Sequence, residues 1–148
     1  MTYRVHLVNA PAQVTAVIRA RVLQSELAQV VPAFCGEVWE FARIAQLSRP
    51  GRHVAVYLDC AITLECGVEV AAPFVGSARI ICSTTPAGLA ATTTHTGPYE
   101  RLGDAHRAIR EWREGQGTTL AGPNWEVYAH WVDPPAQPRT DVYYVLSS

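Results

Sequence analysis

The chain has no lysine: all twelve of its basic residues are arginine. They are scattered rather than gathered on one predicted face, and with thirteen acids the net charge is −1. A basic stripe that could neutralise phosphates is therefore missing, and no direct nucleic-acid partner is expected. The exclusive use of arginine reads as the coding bias of a GC-rich bacterial genome. No apolar run approaches the roughly 20 residues of a membrane span. The opening MTYRVHLVNAPAQ lacks both the charged leader and the apolar core of a signal peptide. No membrane association and a cytoplasmic location are the expectation. Cys35, Cys60, Cys66 and Cys82 form no C-x-x-C pair, and the five histidines show no H-E-x-x-H spacing. No metal and no other cofactor are expected, and the thiols should be reduced and buried. A G-x-S-x-G elbow is also absent, as is any nucleophile-and-base pair recognisable from spacing.

What is present is a repeat. Arg4, Pro11 and Ala12 recur as Arg79, Pro86 and Ala87, each 75 positions on. Further along, Val31, Phe34, Val38 and Phe41 match Leu102, Ala105, Ile109 and Trp112 at an offset of 71, and Tyr57 matches Tyr128 at that same offset. The drop from 75 to 71 means that the first copy carries four extra residues between its second strand and its helix, where a loop would absorb them. At 148 residues, 49% of them hydrophobic and 17% charged, the chain suits one domain with a continuous core, made of repeats over about 2–75 and 77–146.

Each copy reads strand, turn, strand, helix, strand, strand. Arg4 to Asn9 and Arg79 to Ser83 are short apolar runs stopped by proline, and Val14 to Val22 and Leu89 to Thr96 follow them. The spacing of Val31, Phe34, Cys35, Val38, Phe41, Ala42 and Ala45 predicts a helix, and Pro32 places its start near Val31. Gly97-Pro98 opens the second helix, whose outer face carries Arg101, Asp104, Arg107, Arg110, Glu111 and Glu114. Gly115 and Gly117 stop it. Strands ending near Asp59 and Trp131 come next, after turns at Arg49-Pro50-Gly51 and Ala121-Gly122-Pro123. Asp133-Pro134-Pro135 makes a stiff loop before a last strand over Thr140 to Leu146, the counterpart of Leu64 to Val70. The fold class is α+β: duplicated β-β-α-β-β units forming one mainly antiparallel sheet, with two pseudo-symmetric helices on one face.

The stretch GPNWEVYAHW sets one acid among aromatic and branched residues. Alternation puts Asn124, Glu126, Tyr128 and His130 on one strand face and Trp125, Val127, Ala129 and Trp131 on the other. On residue type alone, Glu126 belongs on a solvated face or beside an arginine. The repeat argues otherwise, because its counterpart in the first copy is Ala55, while the tyrosine two residues on is kept as Tyr57.

His95-Thr96-Gly97-Pro98-Tyr99-Glu100 followed by a helix, then Ala121-Gly122-Pro123-Asn124-Trp125-Glu126-Val127-Tyr128, an Asp-Pro loop and a Tyr-rich closing strand, resembles the GyrI-like domain. That domain is the small-molecule-binding module also found as the effector-binding part of AraC-type and MerR-type multidrug regulators. The resemblance is strong over about residues 77 to 146. It implies a ligand cleft between the two helices, floored by the sheet and lined by aromatic residues around a glutamate that attracts lipophilic cations, with Glu126 at the matching position. The partners it implies are lipophilic aromatic or cationic small molecules, bound for multidrug sequestration or sensing. Other branches of the family imply a hydrolase of cyclopropane-bearing genotoxic compounds, in which Glu126 would be the catalytic acid or base, or a restraint on DNA gyrase through an exposed face. No helix-turn-helix segment precedes the first repeat, which speaks against a transcription factor acting alone.

The ligand-binding set expected from both lines is Glu126, Tyr128, Tyr57, Trp39, Phe34, Tyr143 and Trp112. Trp39 lies beside the first helix's stripe, where it either edges into the cleft or covers the sheet. Trp112 and Phe41 hold equivalent helix positions that suit the core as well as a cleft. Tyr143 and Tyr144 alternate, so one of them faces the cleft, and Tyr143 is the choice. Trp125 and Trp131, on the opposite face, support the far side of the sheet or offer a homodimer contact.

Overall fold

Two proline-interrupted hairpins begin the two halves of the chain. In the computed structural model, which describes residues 3–47, 51–58, 63–129 and 139–147, Pro11 separates β1 (His6–Ala10) from β2 (Val14–Arg21), and Pro86 separates β5 (Ile80–Thr84) from β6 (Gly88–Thr96). A single turn of 3-10 helix then leads into α1 (Leu27–Ile44) and, in the second half, into α2 (Leu102–Gln116). The halves close with β3 (His53–Tyr57) and β4 (Thr63–Glu69), and with β7 (Thr119–Tyr128) and β8 (Arg139–Ser147). His130, Trp131, the Asp133-Pro134-Pro135 loop, Cys60 and the Arg49-Pro50 turn lie outside the described residues.

All eight strands join one sheet in the order β1-β6-β8-β7-β3-β4-β2-β5, and every pairing is antiparallel. The order reads the same from either end once the halves are exchanged. β7 and β3 meet at the centre, whereas each half's first strand has crossed over: β1 pairs with β6, and β5 with β2. The halves are interlocked, so neither can complete its own sheet without the other.

Both helices pack on one face. Val38 of α1 is fully buried with Ala16, Ile18 and Val68, and Leu102, Ala105 and Ile109 of α2 are buried on Ala91 and Val142. The other face buries Val17, Val54, Val56, Ala90, Trp125 and Val127, with Val8 and Ala10 from β1 and Ile81 from β5 packed against them. The apolar residues of the edge strands thus continue this face at both ends, Val8 beside Ala90 and Ile81 beside Val17. Trp125 is only 3% exposed, so it supports this second core and is not available for a homodimer contact. The strands pass so closely here that a Cβ built on Gly67 would stand 1.9 Å from the carbonyl oxygen of Ala16. Glycine is the residue that fits.

Two expectations are corrected. The four extra residues of the first copy do not form a loop but an additional N-terminal turn of α1, which starts at Leu27 rather than near Val31. Leu27 and Val30 extend the apolar stripe of Val31, Phe34 and Cys35, so burial continues the helix past the proline. Pro32 consequently lies inside α1, where its missing N–H leaves the Ala28 carbonyl unbonded; both residues are exposed, so water serves that carbonyl. Second, Cys35 and Cys66 are buried free thiols as expected, but Cys82 is exposed on the edge strand β5. The C-terminus of α2 follows the sequence reading, with Gly117 at φ 68° taking the left-handed cap conformation that costs other residues strain.

Candidate functional site: a buried glutamate on the pseudo-symmetry axis

α1 rests on β2 and β4 and α2 on β6 and β8, so the central pair β3 and β7 forms the floor between them. In that pair Ala55 stands directly opposite Glu126. The two residues that the repeat makes equivalent are therefore also cross-strand neighbours, which puts the pseudo-two-fold axis through this one pair. Alternation turns Glu126, Tyr128, Ala55 and Tyr57 toward the helices.

Glu126 is 5% exposed, and a carboxylate that has lost its water needs donors in exchange. It has three. The Tyr128 hydroxyl donates to Oε1 at 2.5 Å and the Tyr57 hydroxyl to the same oxygen at 3.4 Å, while Nε2 of His106 lies 2.6 Å from Oε2. Burial pushes both tyrosine hydroxyls well above the usual phenol range and the charge of Glu126 adds to this, so both remain protonated donors. A second chain of bonds leads away from the site. Nδ1 of His106 is 2.7 Å from the Tyr144 hydroxyl, whose oxygen accepts from Nη1 of Arg110 at 3.3 Å. With Nε2–H donating to the carboxylate, a neutral ring leaves Nδ1 as acceptor for the Tyr144 proton. The tyrosine hydroxyl is raised by burial and held back by Arg110.

The repeat gives each of these groups a bland counterpart. At the 71-residue offset His106 corresponds to Cys35 and Arg110 to Trp39. Across the sheet, the pairings Ala55 with Cys66 and Glu126 with Val142 make Tyr144 the counterpart of Val68. The cleft has one polar wall from the second half and one apolar wall from the first, with Cys35, Ala55, Leu64 and Cys66 buried under it. The two thiols there lie 3.2 Å apart, and Cys66 also reaches the Val31 carbonyl at 3.4 Å. Its thiol is pushed far up by the bond to Cys35 and by burial, which makes it inert.

Of the expected residues, Glu126, Tyr128 and Tyr57 come together at one carboxylate. Trp39 lies on the side of α1 turned toward the cleft, 40% exposed, with its ring 5.5 Å from that of His53. Phe34 packs between α1 and the sheet, against the apolar cluster under the cleft on one side and capped by the Arg79 guanidinium at 5.0 Å on the other. Two others point elsewhere. Tyr143 lies on the opposite face, stacked on Trp125 at 4.8 Å, and Tyr144 is the one that faces the cleft. Trp112 lies on the far side of α2, where with Tyr3, Val5 and Ala108 it lines a groove of about 670 Å³ separate from the cleft.

Sequence reasoning missed His106, Tyr144 and Arg110. For His106 the signal was there: it follows Leu102 by four positions and precedes Ile109 by three, on the edge of the buried stripe. Arg110 was read as solvated surface because it falls one position beyond that stripe. Tyr144 required the register of β8 against β7, which alternation alone does not give. Tyr99 also joins the cleft, edge-on to Tyr128 at 5.9 Å. His95 does not: buried between the Tyr3 hydroxyl and the Pro98 carbonyl, both at 2.9 Å, it fastens the segment that leads into α2. Among the described residues no cluster of His, Cys, Asp or Glu could hold a metal ion, and no helix is long and apolar enough to cross a membrane.

A family model, the GyrI-like small molecule binding domain, matches residues 3–146. No curated protein matches the sequence. Among solved structures, the EcmrR C-terminal domain superposes with a TM-score of 0.78 at 21% identity, over 100% of this chain and 99% of that one. A hydrolase from Listeria innocua gives 0.58 at 12% identity, over 97% and 92% of the two chains. SAV2435 bound to tetraphenylphosphonium gives 0.59 at 12% identity, over 100% and 95%. At these identities the structural likenesses speak to the fold.

Proposed function

The chain belongs to the GyrI-like small-molecule-binding domains, and we propose that it binds bulky aromatic cations in the cleft between α1 and α2, as a cytoplasmic protein that sequesters or senses such compounds. The observation that carries this reading is the state of Glu126. Its lone pairs are met by two tyrosine hydroxyls and an imidazole, none of them a permanent cation, so no fixed positive charge cancels the carboxylate. A buried anion left in that state attracts a cation strongly, because little water intervenes to screen it. Tyr57, Tyr128, Tyr99 and Trp39 supply aromatic faces, each adding about 0.5 to 2 kcal/mol of cation–π attraction where they meet the guest. That SAV2435, a protein of the same fold, was solved with tetraphenylphosphonium supports the choice of ligand class.

Titration with tetraphenylphosphonium tests this. Replacing Glu126 by Gln keeps the shape and removes the charge, and the dissociation constant should rise by roughly 10- to 100-fold, the loss of one partly buried ion interaction. Equal affinity of the two proteins would sink the charge-selectivity reading. A hydrolase is the second reading, favoured by the 2.6 Å contact between Glu126 and His106, a carboxylate and imidazole at proton-transfer distance. Incubation with a cyclopropane-bearing alkylator would yield a ring-opened hydrate only if this holds.

A further inference from the structure

We infer that His106 is the built-in competitor of the guest: a cation enters the cleft only against a neutral His106, so that binding is coupled to loss of the imidazole proton. This rests on the cation-binding reading above. Around the Glu126 and His106 pair stand Tyr128 from β7, Tyr57 from β3, Tyr144 from β8, Cys66 from β4 and, on His106's own helix, Arg110. The tyrosine and thiol groups stay uncharged at neutral pH, because burial holds the three tyrosines, and the bond to Cys35 together with burial holds Cys66, above their ordinary ranges. Among the described residues, the groups of the cleft that can carry charge are Glu126, Arg110, His106 and, on the same face of β3 as Ala55 and against Trp39, His53. Arg110 is exposed and reaches the cleft only through the Tyr144 oxygen, so solvent screens much of its charge.

With a neutral ring, Nε2–H holds Oε2 of the carboxylate at 2.6 Å, Nδ1 accepts the Tyr144 proton, and Glu126 keeps one full negative charge facing the cleft. A proton added at Nδ1 changes two things at once. The Tyr144 hydroxyl must rotate from donor to acceptor, although its oxygen already accepts from Arg110. More importantly, an imidazolium in contact with Glu126 makes the pair neutral, so an incoming cation meets no net charge and repels the ring. Proton and guest thus compete for the same carboxylate although they occupy different atoms. Linkage then requires that the guest lower the proton affinity of His106 to the degree that the proton lowers guest affinity. An imidazole changes charge within the pH range of cells, and of the two on the cleft side among the described residues, His106 is the one whose Nε2 lies 2.6 Å from this carboxylate. The arrangement belongs to one half only, since the counterpart of His106 is Cys35.

The test uses tetraphenylphosphonium, a permanent cation with no proton of its own, titrated calorimetrically into the full chain between about pH 5.5 and 8.5. On the acid side of that range the dissociation constant should rise by roughly tenfold per pH unit, and in buffers of differing ionisation heat close to one proton should be released per guest. His106→Gln keeps a side-chain N–H for Oε2 and removes the titration, so its affinity should be flat with pH and its proton release near zero. Imidazole resonances of the wild-type protein, followed by NMR with and without the guest, give a readout that needs no variant: one ring should titrate at lower pH when the guest is bound. A wild-type protein that binds with flat affinity and no proton release overturns the coupling and leaves the cation-binding reading standing. So does a Gln variant that keeps the wild-type slope, because the proton would then sit on Glu126. Absence of binding at every pH overturns the cation-binding reading itself.

Discussion

A second glutamate placed at Ala55 offers a direct test of the axis. Ala55 is fully buried and lies opposite Glu126 on the neighbouring strand, so Ala55→Glu would set two carboxylates face to face across the pseudo-two-fold. Directly opposed Cβ atoms stand about 5 Å apart. With an effective dielectric of about 20, two unit charges at that distance repel by roughly 3 kcal/mol, equivalent to raising one carboxyl by about 2.4 pH units. The bulk of the new side chain adds a separate cost, which Ala55→Gln shares, so the informative quantity is the difference in unfolding free energy between the two variants. Its sign follows from linkage. The carboxyl's proton affinity is raised in the folded protein, so the unfolded chain ionises first; the Glu variant matches the Gln variant below about pH 4 and falls behind it by about 1.4 kcal/mol per pH unit above that, until the roughly 3 kcal/mol is reached near pH 7. Denaturant unfolding at a series of pH values measures this. If the two variants were equally stable at pH 7.5, the two positions would not share one buried environment, and the placement of the axis would be wrong.

Two further tests separate packing from chemistry. Gly67→Ala forces a Cβ against the backbone carbonyl of Ala16, a contact that no rotamer can relieve, so a loss of about 3 kcal/mol or more is expected in a denaturant melt; a variant within 0.5 kcal/mol of the parent would mean that β2 can shift freely. Of the neighbouring tyrosines, Tyr143→Phe should leave tetraphenylphosphonium affinity unchanged, whereas Tyr144→Phe removes the hydroxyl that bridges His106 and Arg110 and should alter both affinity and its pH dependence. Equal effects of the two substitutions in the same titration would contradict the register of β8.

The element order was legible in the sequence because it is written twice. A lone run such as Val14 to Val22 is an ambiguous apolar stretch, but its place behind a repeated Arg, Pro and Ala, matched by Leu89 to Thr96 in the second copy, left one consistent reading, and the observed strands Val14–Arg21 and Gly88–Thr96 agree with it. The helix start went astray because Pro32 was weighed as a breaker, while the apolar residues Leu27 and Val30 ahead of it carried the stronger, tertiary signal. Strand crossing was not legible at all. That β1 pairs with the second half and β5 with the first is a choice between alternatives of equal local propensity, and the observed pairing sets Val8 beside Ala90 and Ile81 beside Val17 in the second core. At the site, Glu126, Tyr128 and Tyr57 were recoverable from alternation within one strand and its repeat. His106 showed its place on the edge of the helical stripe but not its partner, and Tyr144 not even its face, since each meets the cleft through an inter-element register.

The asymmetry of the cleft follows from the geometry of a two-fold axis. Any residue on such an axis meets its own counterpart, so a perfectly symmetric pair of halves could place an acid there only as two acids in contact, each raising the other's proton affinity until one is neutral. Ala55 removes that conflict and leaves Glu126 as a single acid on the axis. Once one half carries the charge, the donors that keep it solvated need to come mainly from the same side: Tyr128 from β7 and His106 from α2, with Tyr144 from β8 behind the ring. Only Tyr57 crosses from the other half, and at 3.4 Å it makes the longest of the contacts. The first half carries Cys35, Cys66, Val68 and Trp39 at the counterpart positions, and they make the other wall of the cleft apolar. The single charge on the axis therefore depends on Glu126 standing opposite a residue, Ala55, that carries none.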